Sequence, residues 1–225
     1  MNQDREKQDV ARAALNFIQA GQVVGLGSGS TSAFFIQFLG DKVRAGLRIQ
    51  GVPTSIRSQQ LAEKCGIPLV SLDQVETIDV DVDGADEFDP QLQLIKGGGG
   101  ALLREKIVAS VSKKFVVVTD SSKQVPVLGK FPLPVEVIPF AETVLTRRIS
   151  ALGAKVTLRK ARDGSVYKTD EGHHILDCNF GKIPDPAALA YTLSGMPGIV
   201  EHGLFIHMAN VVLLAKDSQV VELHR

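Results

Sequence analysis

The sequence has little cysteine and no long apolar run. Cys65 and Cys178 are its only two cysteines, and neither belongs to a CxxC or Cys/His ligand pattern. This spacing predicts two reduced thiols and argues against a disulfide framework. No apolar run approaches the roughly 20 residues needed to span a bilayer, and the charged N-terminus lacks the apolar stretch of a secretory signal. We therefore expect a soluble, cytoplasmic protein that has no membrane partner.

The sequence also lacks an excess of charge of either sign. Its 25 lysine and arginine residues balance 25 aspartate and glutamate residues, so the net charge is zero with neutral histidines. Without a broad basic field, we expect no nucleic acid partner. An anionic small substrate is still compatible with the sequence, because a local group of lysines and backbone amides can bind phosphate without a basic surface.

The first 130 residues alternate between short apolar strands and helical segments. The predicted strands are 23–26, 47–52, 68–71, 78–82 and 115–119. The first predicted helix is capped by Asp4 and ended by Gly21, and the other predicted helices are 32–39, 55–65 and 101–112. This alternation is typical of a parallel sheet with helices on both faces. The last apolar run, 211–215, is expected to return to the same sheet.

The pattern changes after residue 130. Predicted strands at 133–138, 155–159, 175–178 and 199–205 and helices at 141–152 and 186–194 follow in the order βαββαβ, which is typical of a ferredoxin-like arrangement. We therefore predict an α/β fold with a doubly wound, mostly parallel sheet and an inserted small α+β (ferredoxin-like) domain. The α/β catalytic domain is assigned to residues 1–130 and 207–225, and the small α+β domain to residues 131–206.

A glycine-rich loop, Gly25–Thr31, joins the first strand to the next helix. Glycines at such a junction let the backbone curl around an anion, and the helix N-terminus supplies N–H groups. The dinucleotide fingerprint GxGxxG does not fit, because Ser30 or Ser32 stands where its last glycine is required, and a nucleoside-triphosphate loop would need a lysine here. The loop is compatible with phosphate binding and equally with a tight turn whose serines cap the helix.

Acidic residues alternate with apolar ones along the strand 78–82 and continue beyond it. Gly84 breaks the strand, so Asp83 and Asp86 are expected to project from the carboxyl edge of the sheet. Ligands of doubly wound folds bind at that edge. Asp83 and Asp86 are therefore candidate ligand contacts.

The same segment matches the first half of a calcium loop through Asp79, Asp81 and Asp83. The twelfth position of such a loop requires glutamate, where this sequence has Pro90, and a strand pattern occupies the segment. We reject calcium binding and expect Asp79 and Asp81 to be solvated acids.

Four consecutive glycines, Gly97–Gly100, stand between Lys96 and the predicted helix 101–112. An ordered glycine run costs conformational entropy, so it indicates either a flexible linker or a backbone that closely approaches a ligand. Lys96 and the free amides together are suited to a developing oxyanion. Glu105 lies about one turn inside the helix. It is a candidate base, although it could equally be one charge on a solvated helix face.

Five segments together resemble the A-type ribose-5-phosphate isomerases in order and spacing. They are Gly27–Thr31, Asp83–Asp86, Lys96–Gly99, Leu103–Lys106 and Phe131–Pro139. The resemblance extends over essentially the whole chain. The departures are small: Ser28 is often threonine in the family, Gly100 is often alanine, and Leu103 is sometimes threonine.

The resemblance implies an isomerase that interconverts D-ribose 5-phosphate and D-ribulose 5-phosphate through a cis-enediolate, in the non-oxidative pentose phosphate pathway. It implies no metal and no organic cofactor, and a homodimer or homotetramer. By the same resemblance Glu105, Asp83 and Lys96 are catalytic. The substrate-binding residues that it implies are Lys7, Ser28, Gly29, Ser30, Thr31, Asp83, Gly84, Ala85, Asp86, Lys96, Gly97, Gly98, Gly99 and Lys123.

Two other classes of function stay open from the sequence. One is a non-catalytic sugar-phosphate sensor, in which Lys96 and Glu105 would be needless. The other comprises the sugar-phosphate deaminases, lactonases and coenzyme A transferases of related fold. A deaminase would release ammonia from an amino sugar phosphate.

Overall fold

The computed structural model describes residues 3–216 and 219–225. The chain forms two compact units. The first unit takes its residues from Met1–Ala85, Arg104–Lys123 and Met208–Arg225, and the second from Asp86–Leu103 and Gln124–His207. The domain boundaries inferred from the sequence stay a prediction.

Helices and strands alternate along most of the chain. In chain order the elements are α1 (Gln3–Ala14), β1 (Val23–Leu26), α2 (Ser30–Arg44), β2 (Gln50–Pro53), α3 (Ile56–Lys64), β3 (Val80–Gly84), β4 (Glu87–Phe88), β5 (Leu94–Ile95), α4 (Leu102–Ser110), β6 (Phe115–Asp120), β7 (Leu133–Val137), α5 (Glu142–Ala151), β8 (Lys155–Leu158), β9 (His174–Asn179), α6 (Pro186–Ser194), β10 (Ile199–His202), β11 (Leu204–Phe205), β12 (Val211–Lys216) and β13 (Gln219–His224). Within the described residues, no helix is long and apolar enough to cross a bilayer.

The first unit is built on a six-stranded sheet in the order β13-β12-β6-β3-β1-β2. The strands from β12 to β2 run parallel, and β13 pairs antiparallel with β12 at one edge. The predicted doubly wound, mostly parallel sheet is therefore confirmed, and 211–215 does return to it as β12. Strand β13 was not predicted, because its side chains are largely exposed and its apolar residues do not alternate strictly with polar ones. The strand depends on pairing with β12.

Helices α1 and α2 pack against one face of this sheet. Val10 and Ala14 of α1, and Phe35 and Leu39 of α2, are fully buried and recur at a spacing of four residues. This spacing places each pair on one side of its helix. Both pairs belong to one apolar cluster with the sheet valines, including Val82.

The opposite face of strand β3 carries its acidic residues. Side chains alternate along a strand, so Asp81 and Asp83 point away from the valine cluster. Helix α4 covers this face: a Cβ on Gly25 would lie 2.4 Å from Asp81 Oδ1 and 2.9 Å from Val108 Cγ1. Only glycine at position 25 lets the helix and the acidic strand approach so closely.

The second unit contains a four-stranded antiparallel sheet in the order β10-β7-β9-β8. Numbered along the chain, this order is 4-1-3-2, with α5 and α6 as the two helices of the predicted βαββαβ arrangement. Its core includes Val135, Leu145, Ile149, Leu176 and Leu193. The small ferredoxin-like fold is thus confirmed.

The sequence failed to predict a second sheet in this unit. Strands β4, β5 and β11 form a three-stranded sheet in the order β11-β5-β4. Each is only two residues long, which is too short for an alternating pattern to show in the sequence. The strand predicted at 199–205 is wrong as a single element, because it divides at Gly203 into β10 and β11, which belong to different sheets.

Two further predictions were inaccurate. The strand expected at 68–71 is reduced to a single bridge between Leu69 and Gly51. The helix that Asp4 was expected to cap already includes Asp4, and it ends as an α-helix at Ala14 before one turn of 3₁₀ helix.

Both cysteines are free. Burial raises the pKa of the Cys178 thiol to about 12, so this side chain packs as a small apolar group rather than as a reactive thiolate.

Gly203 provides a first test of packing. A Cβ at this position would lie 2.2 Å from the carbonyl oxygen of Lys96 and 2.9 Å from Pro134 Cδ. We expect Gly203→Ala to lower the free energy of unfolding by about 1–3 kcal/mol, because the backbone must move to admit the methyl group. Chemical denaturation of the purified variant measures this loss.

Gly195→Ala is the matched control. A Cβ at Gly195 would meet its nearest neighbour at 3.6 Å, an ordinary contact, so this variant should stay within about 0.5 kcal/mol of the parent protein. Equal stability of the two variants would contradict the packing argument.

Candidate active site

The loop after β1 leads into the N-terminus of α2. Gly29 is the residue before the helix, with φ of 98°, and it offers no side chain to cap the helix. The N–H groups of the first turn, from Ser30 to Ser32, therefore point out of the helix end. An anion is stabilised at such an end by these donors and by the helix dipole.

The hydroxyl of Ser28 is held by a network of small polar side chains. It donates to Ser55 Oγ at 2.7 Å and lies 2.8 Å from Thr54 Oγ1. Thr54 in turn donates to the carbonyl oxygen of Leu26 at 3.0 Å. The resemblance implies that Ser28 binds substrate. In the structure its hydroxyl donates to Ser55 and so fixes the shape of the loop.

Asp83, at the carboxyl end of β3, is fully buried. Its Oδ1 accepts hydrogen bonds from the amides of Ser28 at 2.9 Å and Gly84 at 2.7 Å, and from the hydroxyl of Ser32 at 3.0 Å. A Cβ on Gly27 would lie 2.2 Å from this oxygen, so the close approach of the loop requires glycine. Asp83 thus joins the ends of two neighbouring parallel strands, β1 and β3.

Asp79 and Asp81 behave differently from each other. Asp79 is partly exposed and pairs with Lys113 Nζ at 2.8 Å; the hydrogen bond from Lys113, with a second from the Val23 amide, lowers the pKa of Asp79. Asp81 is fully buried. The expectation that Asp81 is solvated was wrong, because helix α4 covers its face of the strand.

Glu105 lies in the first turn of α4 and is only 4% exposed. Val108, three residues further on and on the same side of the helix, packs beside Gly25 and Asp81. Because α4 follows β3 and its last turn ends near Ile78 at the start of that strand, its first turn lies toward the carboxyl edge of the sheet. Glu105 therefore faces the sheet near that edge, on the face that also carries Asp83.

The two lysines expected near phosphate belong to elements that one buried carboxylate connects. Glu6 of α1 is 7% exposed, and its Oε2 accepts hydrogen bonds from the Ser121 amide at 3.0 Å and the Ser121 hydroxyl at 2.9 Å. Ser121 follows β6 and begins the turn that ends at Lys123. Lys7 follows Glu6 directly, and Asp4 Oδ1 lies 4.0 Å from its Nζ.

In the second unit the glycine run forms an ordered turn. Gly97 and Gly100 have φ of 105° and 84°, which favour glycine, and the Gly100 amide donates to the Gly97 carbonyl at 3.0 Å. The Gly98 amide donates to Asp86 Oδ2 at 2.7 Å. The run is therefore a shaped loop, which decides against the flexible linker.

Lys96, just before the run, is 2% exposed. Its amide donates to the Gly203 carbonyl at 2.9 Å, and its Nζ lies 5.5 Å from the centre of the Phe205 ring. A buried ammonium group over an aromatic ring is favourable, because the ring face is electronegative.

Among the described residues, no three histidine, cysteine or acidic side chains form a group that could hold a metal ion.

Several residues of these arrangements were missed from the sequence. They are Glu6, Ser32, Thr54, Ser55, Arg159 and Asp177. Arg159 donates a hydrogen bond to the glycine run, and Asp177 pairs with Arg159. Serine and acidic residues are common at turns, so no local signal distinguished them.

The fold and the carboxyl edge of the first unit define a doubly wound α/β protein with a buried acidic site at the strand ends. A model of the family "Ribose 5-phosphate isomerase A (phosphoriboisomerase A)" matches residues 50–219. The chain is 51% identical over 231 residues to ribose-5-phosphate isomerase A of Rhodopseudomonas palustris (strain HaA2), covering 100% of both chains.

Solved structures agree with the sequence match. A D-ribose-5-phosphate isomerase in complex with phospho-erythronic acid is 43% identical with a TM-score of 0.97, over 100% of both chains. Ribose 5-phosphate isomerase A from Methanocaldococcus jannaschii is 40% identical with a TM-score of 0.96, again over 100% of both. The chain belongs to the ribose 5-phosphate isomerase A family. It is an aldose–ketose isomerase that interconverts ribose 5-phosphate and ribulose 5-phosphate in the pentose phosphate pathway.

The hydrogen bonds of Asp83 give a prediction for stability. We expect Asp83→Ala to lower the free energy of unfolding by about 2–4 kcal/mol, because the partly buried amides of Ser28 and Gly84 and the buried hydroxyl of Ser32 lose their shared acceptor. Asp83→Asn retains a carbonyl oxygen at that place and should lose less than half as much. Thermal or chemical unfolding of both variants measures the difference, and an alanine variant as stable as the asparagine variant would contradict it.

Proposed function

We propose that this chain catalyses its isomerisation through a cis-enediolate, with Glu105 as the single base and without a metal or organic cofactor. The observation that carries the proposal is the burial of Glu105 in the first turn of α4, toward the carboxyl edge of the sheet. A carboxylate on a solvated helix face would be exposed. The burial of this one needs a reason, and proton transfer supplies it.

The reaction requires one proton to move between two neighbouring carbons. The open-chain aldose has a weakly acidic proton on C2, and the ketose carries that proton on C1. Glu105 removes it from C2, the enediolate forms, and Glu105 returns it to C1. A positioned base of this kind contributes about 10²–10⁴-fold to the rate, so stabilisation of the enediolate oxygens must supply much of the rest.

We assign that stabilisation to Lys96 and the amides of Gly97 and Gly99, while the Gly98 amide donates to Asp86 and so fixes the wall of the site beside the sugar. The ordered turn of the run supports this assignment, because fixed donors stabilise developing charge without reorganising during the reaction. Asp86 accepts a hydrogen bond from the Gly98 amide. We assign Asp86, Gly84 and Ala85 to binding the hydroxyl groups of the sugar.

Asp83 is proposed to assist opening of the furanose ring, which requires proton transfer from the anomeric hydroxyl. Its hydrogen bonds to the loop after β1 hold the carboxylate at the carboxyl edge, which supports a role beside the sugar. Asp83 would then have two roles, since it also holds the loop after β1 in place.

The phosphate end of the sugar is assigned to the first turn of α2 and to two lysines. The N–H groups of Gly29, Ser30 and Thr31 and the hydroxyls of Ser30 and Thr31 suit a dianion at a helix N-terminus, and Ser28 holds the shape of the loop that carries them. Lys7 and Lys123 add positive charge, and the Glu6–Ser121 hydrogen bonds support their joint action by connecting the elements that carry them.

The resemblance further suggests a cytoplasmic homodimer or homotetramer, with residues 1–130 and 207–225 as catalytic domain and 131–206 as small domain. Phe140 and Tyr191 of the second unit are 96% and 85% exposed. Large exposed side chains of these types are enriched at interfaces between subunits, which supports assembly.

The central test is Glu105→Gln. The amide has the shape of the carboxylate but cannot accept the proton, so we expect kcat for ribose 5-phosphate to fall at least about 10²-fold. Inhibition by phospho-erythronic acid should persist, because its binding does not need a base. The assay contains EDTA and no added metal.

Glu63→Gln makes the same change at an exposed glutamate on α3 and should keep the parent kcat. A Glu105→Gln variant with near-parental kcat would remove Glu105 from the mechanism. Loss of parental activity in EDTA would contradict the metal-free reaction.

A second test addresses the phosphate end through Glu6→Ala. Without the carboxylate, the Ser121 turn loses its hydrogen bonds to α1, so the positions of Lys7 and Lys123 relative to each other are less firmly fixed. We expect KM for ribose 5-phosphate to rise about tenfold, or about 1.4 kcal/mol, with kcat within about twofold. Steady-state kinetics separate the two constants, and a fall in kcat at unchanged KM would refute this assignment.

A further inference from the structure

Arg159 follows strand β8 and is fixed on three sides. Its amide donates to the carbonyl oxygen of Ile175 at 2.9 Å. Its guanidinium forms a two-pronged ion pair with Asp177 of β9, in which Nε donates to Oδ2 at 2.9 Å and Nη2 donates to Oδ1. The Arg159 side chain is only 13% exposed, so its third nitrogen has little freedom of direction.

That third nitrogen holds the glycine run. Nη1 of Arg159 donates to the carbonyl oxygens of Gly97 at 2.8 Å and Gly98 at 3.2 Å. The hydroxyl of Tyr167 lies 3.5 Å from the next carbonyl oxygen, that of Gly99. Three successive carbonyl groups of the run therefore face Arg159 and Tyr167, whose backbones are joined by a hydrogen bond from the Tyr167 amide to the Arg159 carbonyl at 3.0 Å.

The direction of these carbonyls sets the direction of the amides. In a planar trans peptide the N–H points opposite to the C=O of the preceding residue. With the Gly97 carbonyl held by Arg159, the Gly98 N–H points away from it, where it meets Asp86. With the Gly98 carbonyl held, the Gly99 N–H likewise points away from Arg159.

The surroundings of Gly99 suit a donor to a ligand. None of the hydrogen bonds among the described residues uses its N–H, and a Cβ on Gly99 would meet no atom within 4 Å. An oriented donor beside open space is the arrangement that stabilises a developing oxyanion.

We propose that Arg159, held by Asp177, is a positioning residue that orients the Gly99 N–H toward the enediolate oxygen. This inference rests on the proposed function, because it assumes that the glycine run contacts the reacting end of the sugar. Arginine is required for geometric reasons: a single planar group must bind a carboxylate with two nitrogens and reach two carbonyls with the third. A lysine at this position has one side-chain nitrogen, so it could not bind the Asp177 carboxylate and both carbonyl oxygens together.

The test is Arg159→Lys, which keeps the charge and removes the fork. We expect kcat for ribose 5-phosphate to fall about tenfold, less than the 10²–10³-fold typical of deleting an oxyanion donor, while KM changes less than twofold. The inhibition constant of phospho-erythronic acid should rise about tenfold, because its carboxylate carries charge near the reacting carbons. Inhibition by glycerol 3-phosphate, which has a phosphate but no such carboxylate, should be unchanged.

Two further variants complete the experiment. Asp177→Asn keeps the Arg159 side chain but weakens the ion pair that holds it against the run, and should shift the same constants in the same direction by a smaller factor. Lys160→Gln removes a positive charge at the exposed neighbouring position and should leave all constants within twofold of the parent protein.

The outcomes separate this inference from the proposed function. Parental turnover of ribose 5-phosphate with an unchanged Arg159→Lys kcat would overturn the role of Arg159 alone. Equal weakening of both inhibitors would also overturn it, because a merely loosened structure would affect both. Near-parental kcat in Glu105→Gln would instead refute the proposed function and leave the Arg159 result to be read by itself.

Discussion

A buried carboxylate at the end of a parallel strand governs the geometry of the first unit's site. Asp83 accepts hydrogen bonds from two backbone amides and a serine hydroxyl, and so fixes the loop after β1 against the end of β3. The backbone groups at a strand end have lost their sheet partners and need new ones. The Asp83 carboxylate supplies such a partner to several donors at once. The N-terminus of α2 therefore lies at the carboxyl edge of the sheet.

A carboxylate that accepts hydrogen bonds from a loop backbone recurs at other places among the described residues. Glu6 binds the Ser121 turn, and Asp86 binds the Gly98 amide. In the second unit the Glu87 carboxylate accepts a hydrogen bond from the Gly129 amide at 2.8 Å and another from the Phe131 amide. In each case a short acidic side chain replaces the hydrogen bonds that regular structure would give. Loops stabilised in this way can remain free of bulky side chains, as a ligand site requires.

Much of the architecture was predictable because it follows from local periodicity. Alternating strands and helices predicted the parallel sheet, and the βαββαβ order predicted the ferredoxin-like fold. The failures have a common cause. Strands β4 and β5 are too short to show a pattern, β13 depends on its partner, and the run at 199–205 divides at Gly203 for reasons of close packing. These features arise from contacts distant in sequence.

By itself the sequence determined which residue types stand at each strand end, and hence the candidates Asp83, Lys96, the glycine run and Glu105. Only the tertiary structure decided which of them are buried and what each one contacts. It buried Asp81 under α4 and committed the Ser28 hydroxyl to Ser55. It also joined Arg159 to a loop more than sixty residues earlier in the chain. Residue type is a local property, whereas burial and hydrogen-bond partners depend on which distant segments pack together.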